Sequence, residues 1–144
     1  MKELLQAMRG ELRARLPQVR DVFVSPHEAW VPHGVRFPAI GLKDGDVGRR
    51  ELSGGLIELT LQVSVMVMVQ LLHNAEANLL GAAGARGILD LAADVHAALY
   101  GNLLLPGVQS AWCPRERASQ LLLAEQLNAQ GKVLIYEYVM EVER

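Results

Sequence analysis

From Ile57 to Leu71 the chain alternates almost without fault, and no other stretch constrains its fold as strongly. Ile57, Leu59, Leu61, Val63, Val65, Val67, Val69 and Leu71 are apolar. Glu58, Thr60, Gln62, Ser64 and Gln70 between them are polar, with Met66 and Met68 as the exceptions. Successive side chains on a strand point to opposite faces, so the pattern predicts one long β-strand with a dry face and a mixed face. At about 3.3 Å per residue that strand runs about 50 Å, where an ordinary strand has about 5–6 residues. A globule of 144 residues has a radius of gyration of about 14–15 Å. The strand is therefore expected to project beyond the core or to join the sheet of another subunit.

Around it the chain divides by period and by turn residues. Leu5, Met8, Leu12 and Leu16 recur at spacings of three and four, which predicts an amphipathic helix over 2–16 closed by Pro17. Val22-Phe23-Val24 predicts a short strand over 21–25. Pro26, Pro32, Gly34 and Pro38 mark residues 26–38 as a loop. Phe37–Leu42 reads as a second short strand. If residues 38–50 pair back on the long strand, the stretch from Asp44 to Gly55 is the tip of a β-hairpin. Residues 74–101 are helical in tendency, firmest from Ile88 to Tyr100, where Ile88, Leu91, Val95 and Leu99 share a face. Val108–Cys113 and Val133–Val142 read as strands, Asn128–Gly131 as a turn, and 117–128 fits a helix turn or a buried strand equally well. One domain over 1–144 is expected, of α+β class: a mostly antiparallel sheet with a long hairpin, helices packed on one face.

Composition narrows the partners. A hydrophobic fraction of 51% allows a packed core, and a formal charge of −2 gives no global attraction to nucleic acid or anionic membrane. Cys113 is the single cysteine, so no internal disulfide forms. Charges at Glu3, Arg9, Glu11, Arg13 and Arg15 argue against a signal peptide, and no apolar run reaches the length of a membrane helix. The expectation is a soluble chain made in the cytoplasm.

Candidate chemistry is thin. His27, Glu28 and His33 share a loop, but a zinc site needs three or four donors at tight geometry and no fourth has motif spacing. Asp44 and Asp46 are followed by Val47, Gly48, Arg49 and Arg50 rather than by the further acidic ligands of a calcium loop. Gly81, Gly84 and Gly87 lead into a helix without the Gly-Lys-Ser/Thr ending of a phosphate loop, so they read as a close-packing entry. Cys113 reads as a small buried residue. Asp90 and Asp94 read as the solvated side of their helix. Catalytic, cofactor-binding and metal-binding residues are all expected to be none, and the chain is expected not to be an enzyme.

The N-terminal amphipathic helix, the Val22-Phe23-Val24 strand, Phe37-Pro38-Ala39-Ile40, the long strand at 57–71, the run from Gly87 to Leu99 and the closing strand at 133–142 come in a familiar order. The layout resembles the tail terminator or tail completion proteins of long-tailed bacteriophages and prophages, over nearly the whole chain and without a diagnostic short motif. That resemblance implies a homo-oligomeric ring, typically a hexamer, at the head-proximal end of the tail tube. Such a ring halts tube polymerisation and offers the surface for head-tail joining. It implies the tail tube protein and a head-tail connector protein as partners, no cofactor, no membrane and no sequence-specific nucleic acid. Location would be the virion tail after assembly and the host cytoplasm during synthesis.

The hairpin's mixed face is the expected contact between subunits or with the tube. Arg49, Arg50, Glu58, Thr60, Gln62, Met66 and Met68 are the interface residues on that reading, the flexible thioethers suiting a contact made during assembly. Equally open at this point is that Met66 and Met68 cap the domain's own core. Two other functions compete: a small ligand-binding or regulatory module with a pocket between helix 88–100 and the sheet, and an enzyme using Cys113 or the His27–His33 loop.

Overall fold

The computed structural model describes residues 1–28, 30–71, 75–81, 86–124 and 127–144. Three helices, α1 (Lys2–Arg15), α2 (Ala75–Leu80) and α3 (Ile88–Leu99), accompany six strands. The strands are β1 (Asp21–Val24), β2 (Ala39–Glu51), β3 (Leu56–Gln70), β4 (Val108–Glu116), β5 (Gln120–Ala124) and β6 (Leu127–Glu143). They form one sheet in the order β1-β2-β3-β6-β4, with β5 also on β6. Among the described residues only the β1–β2 pair is parallel. None of the described helices is long and apolar enough to cross a membrane.

The alternation in β3 maps onto the sheet's two faces as strand geometry requires. Leu61, Val63, Val65, Val67 and Val69 point to the helices, joining Ile40, Leu42, Leu134, Tyr136 and Tyr138 in the main core. From above, α1 contributes Leu4, Met8 and Leu12, and α3 contributes Ile88, Leu91, Val95 and Leu99. Leu4, not Leu5, centres the buried face of α1. Arg15 donates to the Ala98 carbonyl at 3.3 Å and Asn102 donates to Glu11 at 3.1 Å, fastening the two helices together.

The opposite face carries a second, smaller core. Met66 (1% exposed) and Met68 (0%) pack there with Ala39, Leu122, Ala129 and Val133, under Phe23 of β1 and Val31, Val35 and Phe37 of the 26–38 region. Of the two positions open for these methionines in the sequence, the structure has the inner one: both lie in the subunit's own core and not on the hairpin surface, which removes them from the expected interface residues. The loop 26–38 and β5 supply the apolar cover that turns a mixed face into a buried one.

Three other expectations change. The long strand needs no neighbouring subunit: β3 is paired along its whole length by β6 on one side, from Leu56–Glu143 to Gln70–Ala129, and by β2 on the other from Ile57 to Met68. Its length is matched by two similarly long strands of the same chain, so both edges are satisfied internally. Asp44-Gly45-Asp46 is not the hairpin tip but part of β2, at a register shift between Asp44 and Val47. Gly45 is required there, since a Cβ would sit 2.9 Å from the Gln62 carbonyl oxygen. Finally, Asn128–Gly131 is strand: all four residues pair with β5, and Ala129–Gly131 pair with β3 as well. Gly131 fits because a Cβ would lie 2.6 Å from Leu122 Cδ1. Of the ambiguous region 117–128, Gln120–Ala124 is a strand, β5, and Leu127 and Asn128 begin β6; residues 125 and 126 lie outside the described residues.

The glycine-spaced entry to α3 is partly described. A Cβ on Gly87 would lie 2.5 Å from the Leu79 carbonyl oxygen and 2.4 Å from Gly81 N, so the glycine lets α3 start against the end of α2 rather than against the sheet. Gly84 lies outside the described residues.

Candidate interaction surface and a side-chain cluster beneath the helices

Past the helices the sheet continues as a three-stranded tongue of β2, the first half of β3 and the end of β6. Its tip is a 3₁₀ turn, Ser53–Gly55, in which Gly54 (φ 76°) and Gly55 (φ 77°) adopt a left-handed backbone open to glycine. Leu52 N–H donates to the Leu56 carbonyl at 2.9 Å, and Arg144 N–H to the Gly55 carbonyl at 2.8 Å, closing the end. β1 covers β2 only from Ala39 to Leu42. Beyond Leu42 the outer edge of β2 has no strand beside it among the described residues, and neither has the outer edge of β4.

The expected interface residues separate on this tongue. Arg50 pairs with Glu58 across the hairpin at 3.2 Å, and Thr60 and Gln62 follow on the same face, both half-buried. Arg49 stands opposite Leu59 and so points to the helix side. Arg49 and Arg50 are both exposed but do not form one basic patch. Met66 and Met68 are inside the second core.

Beside Gln62 the open face dips into a polar groove of about 520 Å³, lined by Glu28, Asp46, Ser64, Arg115, Arg117 and Glu137 among others. Glu28 reaches into it from the loop, accepting from Ser64 Oγ at 2.7 Å and from Arg117 Nη1. Burial raises the Glu28 pKa, but these hydrogen bonds outweigh it, so the carboxyl titrates below its ordinary value. With Glu28 so engaged, His27 and His33 remain exposed, and the three do not converge as metal donors. Trp112, 41% exposed, stands opposite Glu137 on the same face.

On the helix side lies a cluster that sequence reasoning missed. His96, on the last turn of α3, places Nδ1 2.5 Å from the Tyr136 hydroxyl and Nε2 against Glu116 Oε1. Cys113 joins them: one donor atom from each of His96, Cys113 and Glu116 lies within 4.8 Å of the others. Lys132 holds the second carboxylate oxygen of Glu116 at 3.6 Å. Burial pushes the Cys113 thiol up, and pushes Tyr136 and Tyr138 well above the ordinary phenol range. These three groups are therefore neutral near pH 7. Cys113 was visible in the sequence as a lone thiol, but nothing in its spacing tied it to a histidine 17 residues away on a helix.

A cleft of about 360 Å³ opens beside α2 and α3, lined by Arg20, Phe37, Pro38, Val69, Arg86 and Leu91 among others. Asp94 accepts from Arg86 at 2.7 Å and from Gln18 at 3.3 Å, so it is a tie between segments rather than simply a solvated charge. Asp90 accepts from Gly87 N–H at 3.2 Å and caps the start of α3.

No family model matches this sequence, and no curated protein matches it either. The backbone is similar to that of a chain in a solved structure titled as the virion of a native gene transfer agent (GTA) particle. The match has a TM-score of 0.59 and covers 96% of this chain and 95% of that one. Identity is 19%, so what the two chains share is the fold, from end to end.

Proposed function

We propose that the chain is a structural subunit of a phage-type virion, a tail terminator that closes into a ring at the head-proximal end of the tail tube. The observation that carries this reading is the end-to-end fold shared with a virion chain, in a subunit whose sheet has a long open edge. The resemblance noted in the sequence supplies the finer assignment: a hexameric ring, the tail tube protein on one side and a head-tail connector protein on the other. The role is structural and non-enzymatic.

Two unpaired edges at opposite sides of one sheet make a head-to-tail contact possible, the outer edge of β2 in one copy meeting β4 in the next. Contacts of that heterologous kind close into rings when the rotation per step divides a full turn. An open edge is a liability in a monomer and is satisfied in such a ring. The charged, exposed residues Asp46, Arg49, Arg50 and Glu51 on β2 keep the edge soluble until a partner is present. A stable interface of this kind buries about 1,000 Å² or more.

Native mass spectrometry and negative-stain microscopy of the purified chain test the reading. A ring of uniform subunit number that blocks elongation when added to polymerising tail tube protein supports it. A monomer that leaves tube length unchanged refutes it. The cleft beside α2 and α3 is the feature that favours the second reading, a small ligand-binding module, and that reading gains if a monomer is found.

A further inference from the structure

We propose that His96, Cys113 and Glu116 form a zinc site whose fourth position is completed by water. The three donors come from two elements: His96 from α3, Cys113 and Glu116 from β4. Residues three apart on a regular strand point to opposite faces, so Cys113 and Glu116 should not meet. They meet because β4 shifts register between Trp112 and Arg115, which turns Glu116 to the helix side beside Cys113. Re-aiming a side chain is a characteristic use of a bulge.

The donors fit the ion. An imidazole, a carboxylate and a thiol that gives up its proton to solvent as the metal binds form a borderline-soft set that suits zinc. Tetrahedral zinc holds such atoms at about 2.0–2.3 Å, which puts them roughly 3.2–3.8 Å from one another. The present separations, within 4.8 Å, need only small rotations, chiefly of the exposed Glu116. Around them stands the support a metal histidine usually has. The Tyr136 hydroxyl at Nδ1 is fully buried, and it donates to the imidazole or accepts from it, so it can hold Nδ1–H while Nε2 faces the ion. Lys132 keeps the second Glu116 oxygen occupied and leaves Oε1 toward His96. The ion would staple α3 to β4 under the helix layer, with its open coordination position on the exposed side of Glu116.

Cobalt, which reports its geometry optically, is the probe. Titrating the metal-free chain with Co²⁺ should give one equivalent bound per chain, with intense visible bands of four-coordinate cobalt and a thiolate-to-cobalt charge-transfer band. Zn²⁺ should displace it and raise the unfolding temperature. Cys113→Ser should abolish the charge-transfer band. Glu116→Gln, a change at an exposed position that leaves the fold intact, should weaken Co²⁺ at least tenfold, and Tyr136→Phe should weaken it about 10–100-fold, as supporting partners of metal ligands do. Weak pink, six-coordinate cobalt would overturn the site. So would a spectrum unchanged by Cys113→Ser and Glu116→Gln, which would place the binding elsewhere on the chain.

Discussion

Ser64 donates a hydrogen bond of 2.7 Å to Glu28, joining the middle of β3 to the loop that crosses the second face. Arg117 holds the other oxygen of the same carboxylate. Together they strap residues 26–38 over Met66 and Met68, so a surface-looking polar contact governs whether an apolar core is covered.

The strap has a pH signature. Glu28 titrates below its ordinary value of 4.5 in the folded chain, despite the opposing effect of burial. Asp21, held by hydrogen bonds from Arg36, titrates below 3.8. A depressed folded value means the stabilisation is present above the unfolded value and is lost as pH falls through the folded one. Urea midpoints should therefore fall as pH drops from about 5 toward 3. Glu28→Gln should flatten the upper part of that decline and Asp21→Asn the lower part. Equal slopes in all three proteins would contradict the assignment.

Replacing Met66 or Met68 by Asp places an unpaired carboxylate among Ala39, Leu122, Ala129 and Val133. Such burial costs several kcal/mol, on the order of a small domain's whole stability, so these variants should be unfolded by circular dichroism. Met66→Leu, close in volume, should cost less than about 1.5 kcal/mol. Had the methionines been interface residues, the Asp variants would be folded and merely smaller in assembly.

Gly131 should tolerate no side chain. With Leu122 Cδ1 at 2.6 Å from a built Cβ, Gly131→Ala forces β5 away from β6 or the leucine out of its rotamer. A loss of about 1–3 kcal/mol is expected in chemical denaturation. Leu122→Ala should recover part of that loss when combined with it, a coupling that two independent sites would not show.

The Tyr138 hydroxyl is buried and has no hydrogen-bond partner among the described residues. Leaving such a group unsatisfied costs about 1–3 kcal/mol. Tyr138→Phe should therefore be neutral or stabilising by about 1 kcal/mol in thermal unfolding. Its stacked neighbour Tyr136, which does have a partner in His96, should lose stability on the same change.

Where one period ran long enough, the sequence was legible. β3 and α3 were expected at Ile57–Leu71 and Ile88–Tyr100 and are found at Leu56–Gln70 and Ile88–Leu99, because an alternating or three-four apolar pattern has one burial solution. The α+β class followed from that order. What stayed hidden depends on partners distant in the chain. Asn128 and Gly131 look like turn residues, yet strands on both sides recruit them into β6. Met66 and Met68 could be placed only once the loop 26–38 was seen to fold over them. The His96–Cys113–Glu116 cluster depends on a bulge in β4, a one-residue event that no periodicity announces. And the length of β3 pointed outward to other subunits when β2 and β6 of the same chain already match it; the open edge belongs to β2.

Light scattering coupled to size-exclusion chromatography, across a wide concentration range, tests most directly whether that open edge builds a ring. The wild-type chain should elute as one closed oligomer of about six copies. Arg49→Glu with Arg50→Glu, exposed on the β2 edge, should shift it toward monomer while the circular dichroism spectrum is kept. A wild-type chain that stays monomeric at every concentration would contradict the account.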